Sequence, residues 1–152
     1  MPGELSPRLA AIVDALPLTP DARVLEIGCG PGAAARAVAA RLVTGHVLAV
    51  GRSARAIAQA EAGSARELAS GRPSLRCLAA EDFVREPGEA PFDLVYAVRV
   101  GALDGRRPEA GRRALERIAA APAPGGRVFV DGGRPLREIS VPRGGPGDDP
   151  GA

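Results

Sequence analysis

The chain has 152 residues and a formal net charge of +2, and every residue in its lysine-plus-arginine total of 20 is an arginine. This length suits one domain that buries roughly two-thirds of its unfolded surface. The charge is too small for a nucleic-acid partner, which needs a concentrated basic face. No apolar run approaches the ~20 residues of a membrane span.

The two cysteines and the first residues indicate the compartment. Cys29 and Cys77 lie far apart and outside any metal-ligand spacing, so we expect reduced thiols and no bound metal. The start Met1-Pro2-Gly3-Glu4 lacks the basic and apolar parts of a secretory signal. These features predict a cytoplasmic protein without a membrane partner.

The hydrophobic pattern alternates between strands and helices along the chain. Ser6 followed by Pro7 is typical of a helix start, and Ser53 of another one. The predicted elements are, in chain order, a helix from Pro7 to about Leu16, a strand over 23–27, a helix over 33–42, a strand over 46–50, a helix from 54 to about 70, strands over 75–79 and 92–98, a helix over 109–121 and a strand over 127–131.

This order predicts an α/β fold with an open, mainly parallel sheet and helices on both faces, because right-handed crossovers join neighbouring parallel strands. The domain is expected to span 1–132. Residues 142–152 contain seven prolines and glycines in eleven positions and have no hydrophobic period. We therefore expect 133–152 to be a disordered tail.

A glycine-rich turn follows the first predicted strand. Gly28, Gly30 and Gly32 lack a Cβ, so the backbone can turn sharply and leave room for a bulky ligand. The free N–H groups of the next helix point back at the turn, which favours nucleotide-like ligands. The spacing Gly28-x-Gly30-x-x-Ala33 also satisfies the dinucleotide fingerprint, so the turn alone leaves the ligand open.

Glu26 narrows the choice of ligand for this turn. With it, the pattern Glu26-x-Gly28-x-Gly30-x-Gly32 resembles the first motif of class I S-adenosylmethionine-dependent methyltransferases. Residues 92–95 look like that family's fourth strand, and residues 123–130 are similar to its Pro-Gly-Gly turn into strand five. The resemblance covers about Leu5 to Gly132 and implies a three-layer Rossmann-like fold. It implies S-adenosylmethionine as the cofactor, bound by Glu26, Gly28, Cys29, Gly30 and Gly32. The alternative for Glu26 is that it caps a neighbouring turn.

The resemblance also implies an adenine site after strand three. An acidic side chain there accepts the adenine amino group, and either Glu81 or Asp82 fits that role. Phe83 either packs against the adenine or fills the core. Val98, at the end of strand four, is included in the expected cofactor site.

One departure from the family lies at the end of strand two, where an Asp or Glu is expected to accept both ribose hydroxyls. This chain has Gly51 at that place, followed by Arg52 and Ser53. Ser53 is a partial substitute, so all three belong to the expected cofactor site. Loss of a charge-assisted hydrogen bond of ~1.5–3 kcal/mol weakens binding about ten- to a hundredfold. We therefore expect Gly51→Asp to tighten cofactor binding.

The second departure is length. Members of the family normally add two strands after strand five, whereas only Gly133 to Val141 precede the tail. We therefore expect truncated C-terminal strands and an open edge at strand five, which invites pairing into a homodimer.

Methyl transfer needs alignment of the two reactants more than a dedicated base, and no base is evident. His46 begins strand two at the opposite sheet edge, and Tyr96 is expected in the core. Arg99 and Asp104 follow strand four and are the expected contacts of a small-molecule substrate. Two alternatives stay open: an NADP-dependent oxidoreductase that holds the 2′-phosphate with Arg52 and Ser53, and a non-catalytic methyltransferase-like binding domain.

Overall fold

The computed structural model describes residues 4–100 and 107–140. Within them one sheet has the strand order β3-β2-β1-β4-β5-β6, in which β1 to β5 are parallel and β6 is antiparallel to β5. The strands are β1 (Arg23–Ile27), β2 (His46–Gly51), β3 (Pro73–Cys77), β4 (Phe92–Ala97), β5 (Pro122–Asp131) and β6 (Leu136–Ile139). The predicted open α/β sheet is confirmed.

Helices cover both faces of this sheet. They are α1 (Pro7–Ala15), α2 (Ala33–Ala40), α3 (Ala54–Gly63), α4 (Ala65–Ala69) and α5 (Pro108–Ala120). Ile12 and Val13 of α1 and Val38 of α2 pack on one face of β1, where they cover Val24. Ile118 of α5 packs in the opposite core layer, which includes Leu25. Because both faces are covered, the central strands are mostly apolar rather than alternating, and Glu26 of β1 is a buried exception.

The first helix begins as predicted. The Ser6 Oγ accepts a hydrogen bond from the Leu9 N–H at 3.2 Å, and Pro7 occupies the first helical position. This cap satisfies one of the N–H groups that a helix start leaves without an intrahelical partner.

The single helix predicted from 54 to about 70 is wrong, because the structure divides it at Ser64 into α3 and α4. The Ser64 side chain is buried and accepts a hydrogen bond from the Arg36 guanidinium at 2.9 Å. The Arg36 side chain, which belongs to α2, therefore lies at the point where the predicted helix is interrupted.

The predicted boundary at 132 and the predicted open edge at strand five are also wrong. Residues 136–139 form β6, which pairs with β5 and covers its outer edge. Leu136 packs against one core layer and Ile139 against the other, and Arg127 pairs with Glu138 across the two strands at 2.8 and 2.9 Å. The rest of the predicted tail, 141–152, lies outside the described residues, and a homodimer stays a prediction.

Strand five begins earlier than predicted, at Pro122. Its register against β4 shifts between the partners of Phe92 and Leu94. The Pro-Gly-Gly turn falls within this shift, so it forms an irregular stretch inside the strand rather than a turn that precedes it.

Candidate functional site

A cleft lies where the carboxyl ends of β1, β2 and β4 meet. Five residues expected at the site line it, and they are Gly28, Gly51, Arg52, Glu81 and Arg99. Sequence reasoning missed five other lining residues, which are Ile27, Val50, Leu78, Ala80 and Val100. Four of these adjoin a predicted site residue in the chain, and Leu78 directly follows β3. The strand ends themselves were therefore the signal that could have found them.

The three glycines of the turn have different surroundings. A Cβ at Gly28 would lie 2.9 Å from the Val98 carbonyl oxygen and 3.1 Å from Val100 Cγ2, so Gly28 permits close contact with the end of β4. A Cβ at Gly30 would have nothing within 4 Å. Gly30 therefore borders open space, whereas Gly28 is required by packing.

Gly32 faces away from the cleft. A Cβ there would lie 3.1 Å from Ala60 Cβ and 3.2 Å from a guanidinium nitrogen of Arg36. The third glycine of the motif thus permits α2 to pack against α3.

The glycine loop, residues 28–32, is attached to the neighbouring strand. The N–H groups of Gly28 and Cys29 both donate to the Val50 carbonyl oxygen, at 2.8 and 3.1 Å. This pair of hydrogen bonds places Cys29 directly beside the end of β2.

Cys29 occupies the space next to Gly51. Its thiol is buried, and its Sγ lies 3.1 Å from where a Cβ on Gly51 would be. Burial raises the pKa of Cys29 to about 12, with a smaller contribution from the negative charge of Glu26, so the thiol stays protonated at neutral pH. The position at which the family's ribose-binding carboxylate is expected is therefore partly filled by sulfur.

Glu26 lies beneath the cleft and is not part of its lining. Its carboxyl group is buried and accepts a short hydrogen bond from the Tyr96 hydroxyl of β4. Burial raises the pKa of Glu26 to about 7, against the hydrogen bond from Tyr96, which lowers it. The partner of this glutamate is thus a core tyrosine rather than the backbone turn that the alternative proposed.

The acidic segment after β3 supplies one residue to the cleft. Residues Ala80–Asp82 form a short 3-10 helix, in which Glu81 lines the cleft and Asp82 does not. Phe83 is 1% exposed and packs against Phe92, with ring centroids 6.3 Å apart. Of the two alternatives for Phe83, this burial and packing favour the one in which its ring fills the core.

The residues after β4 are held by a carboxylate of β5. Arg99 has a φ of 55°, which is unusual for a residue with a side chain, and its N–H donates to an Asp131 oxygen at 3.2 Å. Asp131 also forms an ion pair with Arg8 of α1 at 3.2 Å. Val98 is buried beside Gly28, and Asp104 lies outside the described residues.

Two further residues have structural partners. The Ser53 hydroxyl accepts the Ala56 N–H at 3.1 Å and so caps α3. The His46 ring bonds to the Gly71 carbonyl oxygen and the Ser74 hydroxyl, at 3.0 and 2.7 Å, and burial lowers its pKa. His46 thus lies at the amino end of β2, away from the cleft, as predicted.

A larger cavity, of about 320 Å³, lies elsewhere, between the segment 83–89 and the C-terminal part of α5. None of the expected cofactor residues except Phe83 lines it. Among the helices of the described residues, none combines the length and the hydrophobicity of a membrane-spanning segment.

Comparison with known proteins shows the family. The model of the family described as "Methyltransferase domain" matches residues 24–126, which is more than half of the chain. The match begins at β1 and includes the glycine loop, the whole cleft and the Pro-Gly-Gly stretch. The family match decides against the NADP-dependent oxidoreductase.

Relatives of known sequence or structure agree with this match. The chain is 36% identical over 127 residues to the protein-L-isoaspartate O-methyltransferase of Methylorubrum populi, and the alignment covers 84% of this chain and 52% of that protein. This chain thus spans about half the length of that relative. Its fold is similar to phosphoethanolamine N-methyltransferase 2 of Haemonchus contortus solved with S-adenosylmethionine, with a TM-score of 0.64, 26% identity and coverage of 81% and 27%.

A third similarity shows the fold alone. A methyltransferase from Geobacter sulfurreducens, solved with S-adenosylhomocysteine, has a TM-score of 0.65 and 21% identity, and the match covers 83% of this chain and 48% of that one.

The residues of the cleft are compatible with the S-adenosyl compounds with which two of these proteins were solved, with one anchor missing. Gly30 borders open space, and Glu81 lines the cleft with a side chain that can accept a hydrogen bond from an amino group. Gly51 offers no carboxylate to the ribose. The chain belongs to the class I S-adenosylmethionine-dependent methyltransferases, and S-adenosylmethionine is its cofactor.

Proposed function

We propose that this chain transfers a methyl group from S-adenosylmethionine to a small-molecule acceptor that carries a negative charge. The observation that supports the acceptor class is the pair of arginines in the cleft, Arg52 and Arg99. Neither guanidinium has an acidic side chain as a partner among residues 4–100 and 107–140. A guanidinium that lines a cleft without such a partner favours a carboxylate or phosphate ligand.

The names of two relatives are consistent with an anionic acceptor. One relative is named for protein-L-isoaspartate and another for phosphoethanolamine. Isoaspartate carries a carboxylate, and phosphoethanolamine carries a phosphate. The small size of the acceptor is supported by the second name alone, because the first denotes a residue of a protein.

The chain contributes position and environment to the reaction. The cofactor supplies an activated methyl group, so the protein needs chiefly to align the acceptor and exclude water. Arg99 is fixed at its backbone by Asp131 and borders the same cleft as Gly28. Its guanidinium can therefore hold an anionic acceptor beside the glycine loop.

The second candidate is a non-catalytic methyltransferase-like domain that binds the cofactor or another ligand. Gly51 favours it, because the expected ribose anchor is replaced by a glycine and a buried thiol. Binding of S-adenosylhomocysteine and transfer of the labelled methyl group from S-adenosylmethionine separate the two candidates. Binding with transfer supports the enzyme, and the absence of transfer to any acceptor supports the binding domain.

Arg99→Gln is expected to leave the affinity for S-adenosylhomocysteine within about twofold and to reduce methyl transfer at least tenfold, because one charge-assisted hydrogen bond is worth ~1.5–3 kcal/mol. The assay uses acceptors in matched pairs, each carboxylate or phosphate beside its neutral amide or ester. Arg112→Gln is the control, since Arg112 is exposed and pairs with Glu116 along α5. Equal transfer to charged and neutral members would contradict the anionic acceptor.

Two glycine variants test the assignment of the loop. Gly30→Ala is expected to cost about 1–2 kcal/mol of stability, because its left-handed φ of 49° disfavours a side chain, and to weaken S-adenosylhomocysteine binding at least tenfold. Gly28→Ala adds a backbone contact of 2.9 Å, so its main expected effect is a larger loss of unfolding free energy. Calorimetry and urea unfolding measure the two effects. Undiminished binding by the Gly30 variant would remove Gly30 from the cofactor site.

A further inference from the structure

Arg36 connects the glycine loop to the interruption between α3 and α4. One guanidinium nitrogen, Nη1, donates to the Pro31 carbonyl oxygen at 3.1 Å and to the Ser64 Oγ at 2.9 Å. Pro31 lies in the loop itself, and the Ser64 side chain is buried. A single side chain thus bonds at once to the loop and to a separate helix pair.

One glycine of the motif makes room for this guanidinium. A Cβ on Gly32 would lie 3.2 Å from Nη1, which is a tight contact, whereas a Cβ on Gly63 would lie at an ordinary contact distance of 3.4 Å. A side chain at position 32 would therefore press on the charged group. The third glycine of the motif thus lets Arg36 reach Pro31 and Ser64.

The loop is bonded on its other side to β2. Cys29 donates to the Val50 carbonyl oxygen at 3.1 Å, and Gly32 donates to the Cys29 carbonyl oxygen at 3.0 Å. The loop between these bonds has Gly30 at its most open point. With Arg36 bonded to Pro31, the loop is held from the β2 side and from the α3 side.

We infer that Arg36 is a positioning residue, which holds the glycine loop in the shape that binds S-adenosylmethionine without contacting the cofactor. The inference rests on the assignment of the cofactor site to this loop. When the binding-competent shape is populated only part of the time, the apparent affinity falls by that fraction. Removal of the Arg36 bonds therefore weakens binding by lowering that population.

Arg41, at the other end of α2, provides a matched control. Its guanidinium also bonds to a backbone carbonyl, that of Val13 at 3.2 Å, and to one side chain, Asp14. Both partners belong to α1 rather than to the loop. A variant of Arg41 removes bonds to a carbonyl group and to a side chain at the other end of α2, without affecting the loop.

The test compares Arg36→Met, Arg36→Lys and Arg41→Met. Arg36→Met is expected to bind S-adenosylhomocysteine about tenfold more weakly than the wild type. Arg36→Lys is expected to recover part of the loss, because it keeps a positive charge and N–H donors on a shorter side chain. Arg41→Met is expected to lose stability while its affinity stays within about twofold. Calorimetry gives the affinities, and thermal unfolding gives the stabilities.

Hydrogen exchange in the ligand-free protein gives a second, independent measurement. The amides of Cys29 and Gly32 are expected to exchange faster in Arg36→Met than in the wild type and to be unchanged in Arg41→Met. If Arg36→Met does not fold, Ser64→Ala removes the bond between Ser64 and Arg36 and is expected to show the same two changes at smaller size.

Unchanged affinity and exchange in the Arg36 variants, or equal changes in Arg41→Met, would overturn the inference. If the wild type does not bind S-adenosylhomocysteine, the cofactor assignment fails, and the exchange rates still decide whether Arg36 holds the loop.

Discussion

Gly51→Asp combined with Cys29→Ala is expected to bind S-adenosylhomocysteine about ten- to a hundredfold more tightly than Cys29→Ala alone. An aspartate at the end of β2 restores the carboxylate that the family resemblance implies for the ribose hydroxyls, and such a hydrogen bond is worth ~1.5–3 kcal/mol. Gly51→Asp alone is expected to gain little, because its Cβ would lie 3.1 Å from the Cys29 Sγ. For the single variant we therefore expect a smaller gain than the sequence alone predicts.

The effect is measured by calorimetry on the four members of the double-mutant cycle. The matched control is Gly51→Asn with Cys29→Ala, which has the same shape without the charge and should recover only part of the gain. If the aspartate double variant binds no more tightly than Cys29→Ala, the carboxylate at this position does not reach the ribose.

The wild type is expected to lose stability as the pH rises from about 4.5 to above 7, and Glu26→Gln is expected to remove most of this loss. The pKa of Glu26 is raised from 4.5 to about 7 by burial. The folded state therefore binds more protons than the unfolded state in this interval. The contribution of this group to stability is full below pH 4.5 and is lost as the pH rises through 7.

At pH 8.5 the buried carboxylate is expected to cost on the order of 3 kcal/mol. A glutamine stays neutral and still accepts the Tyr96 hydroxyl, so the variant should be more stable than the wild type at that pH. Urea unfolding at pH 5.5 and 8.5 provides the comparison. Tyr96→Phe removes the hydrogen bond that lowers the Glu26 pKa, so its decline in stability should extend to higher pH. Parallel profiles for the wild type and Glu26→Gln would show that the carboxyl does not titrate in this range.

The five parallel strands and the position of the cleft were predictable because their signals are local. Apolar runs, helix caps such as Ser6, and glycines after β1 each act within a few residues. The carboxyl ends of parallel strands meet at one edge, so Gly28, Gly51 and Arg99 were expected to meet, and all three line the cleft.

The features that the sequence did not reveal depend on distant residues. The interruption at Ser64 involves an arginine 28 residues earlier in the chain. The contact between Cys29 and Gly51 exists because the glycine loop bonds to the end of β2, and no local pattern reports it. Phe83 looked equally suited to a ligand face and to the core, and only packing against Phe92 decides between them.

The short strand β6 has a consequence for association between copies of the chain. Leu136 and Glu138 project from one face of β6, whereas Arg137 and Ile139 project from the other. If two copies pair antiparallel along this border to form one continuous sheet, residues that lie opposite each other must project from the same face. The twofold axis then passes through a residue, which lies opposite its own copy. In the two registers centred on the middle of β6, the axis sets Arg137 or Glu138 against its own copy, and facing like charges are unfavourable. The border therefore discourages self-association in the registers that pair most of β6, as protected sheet edges do.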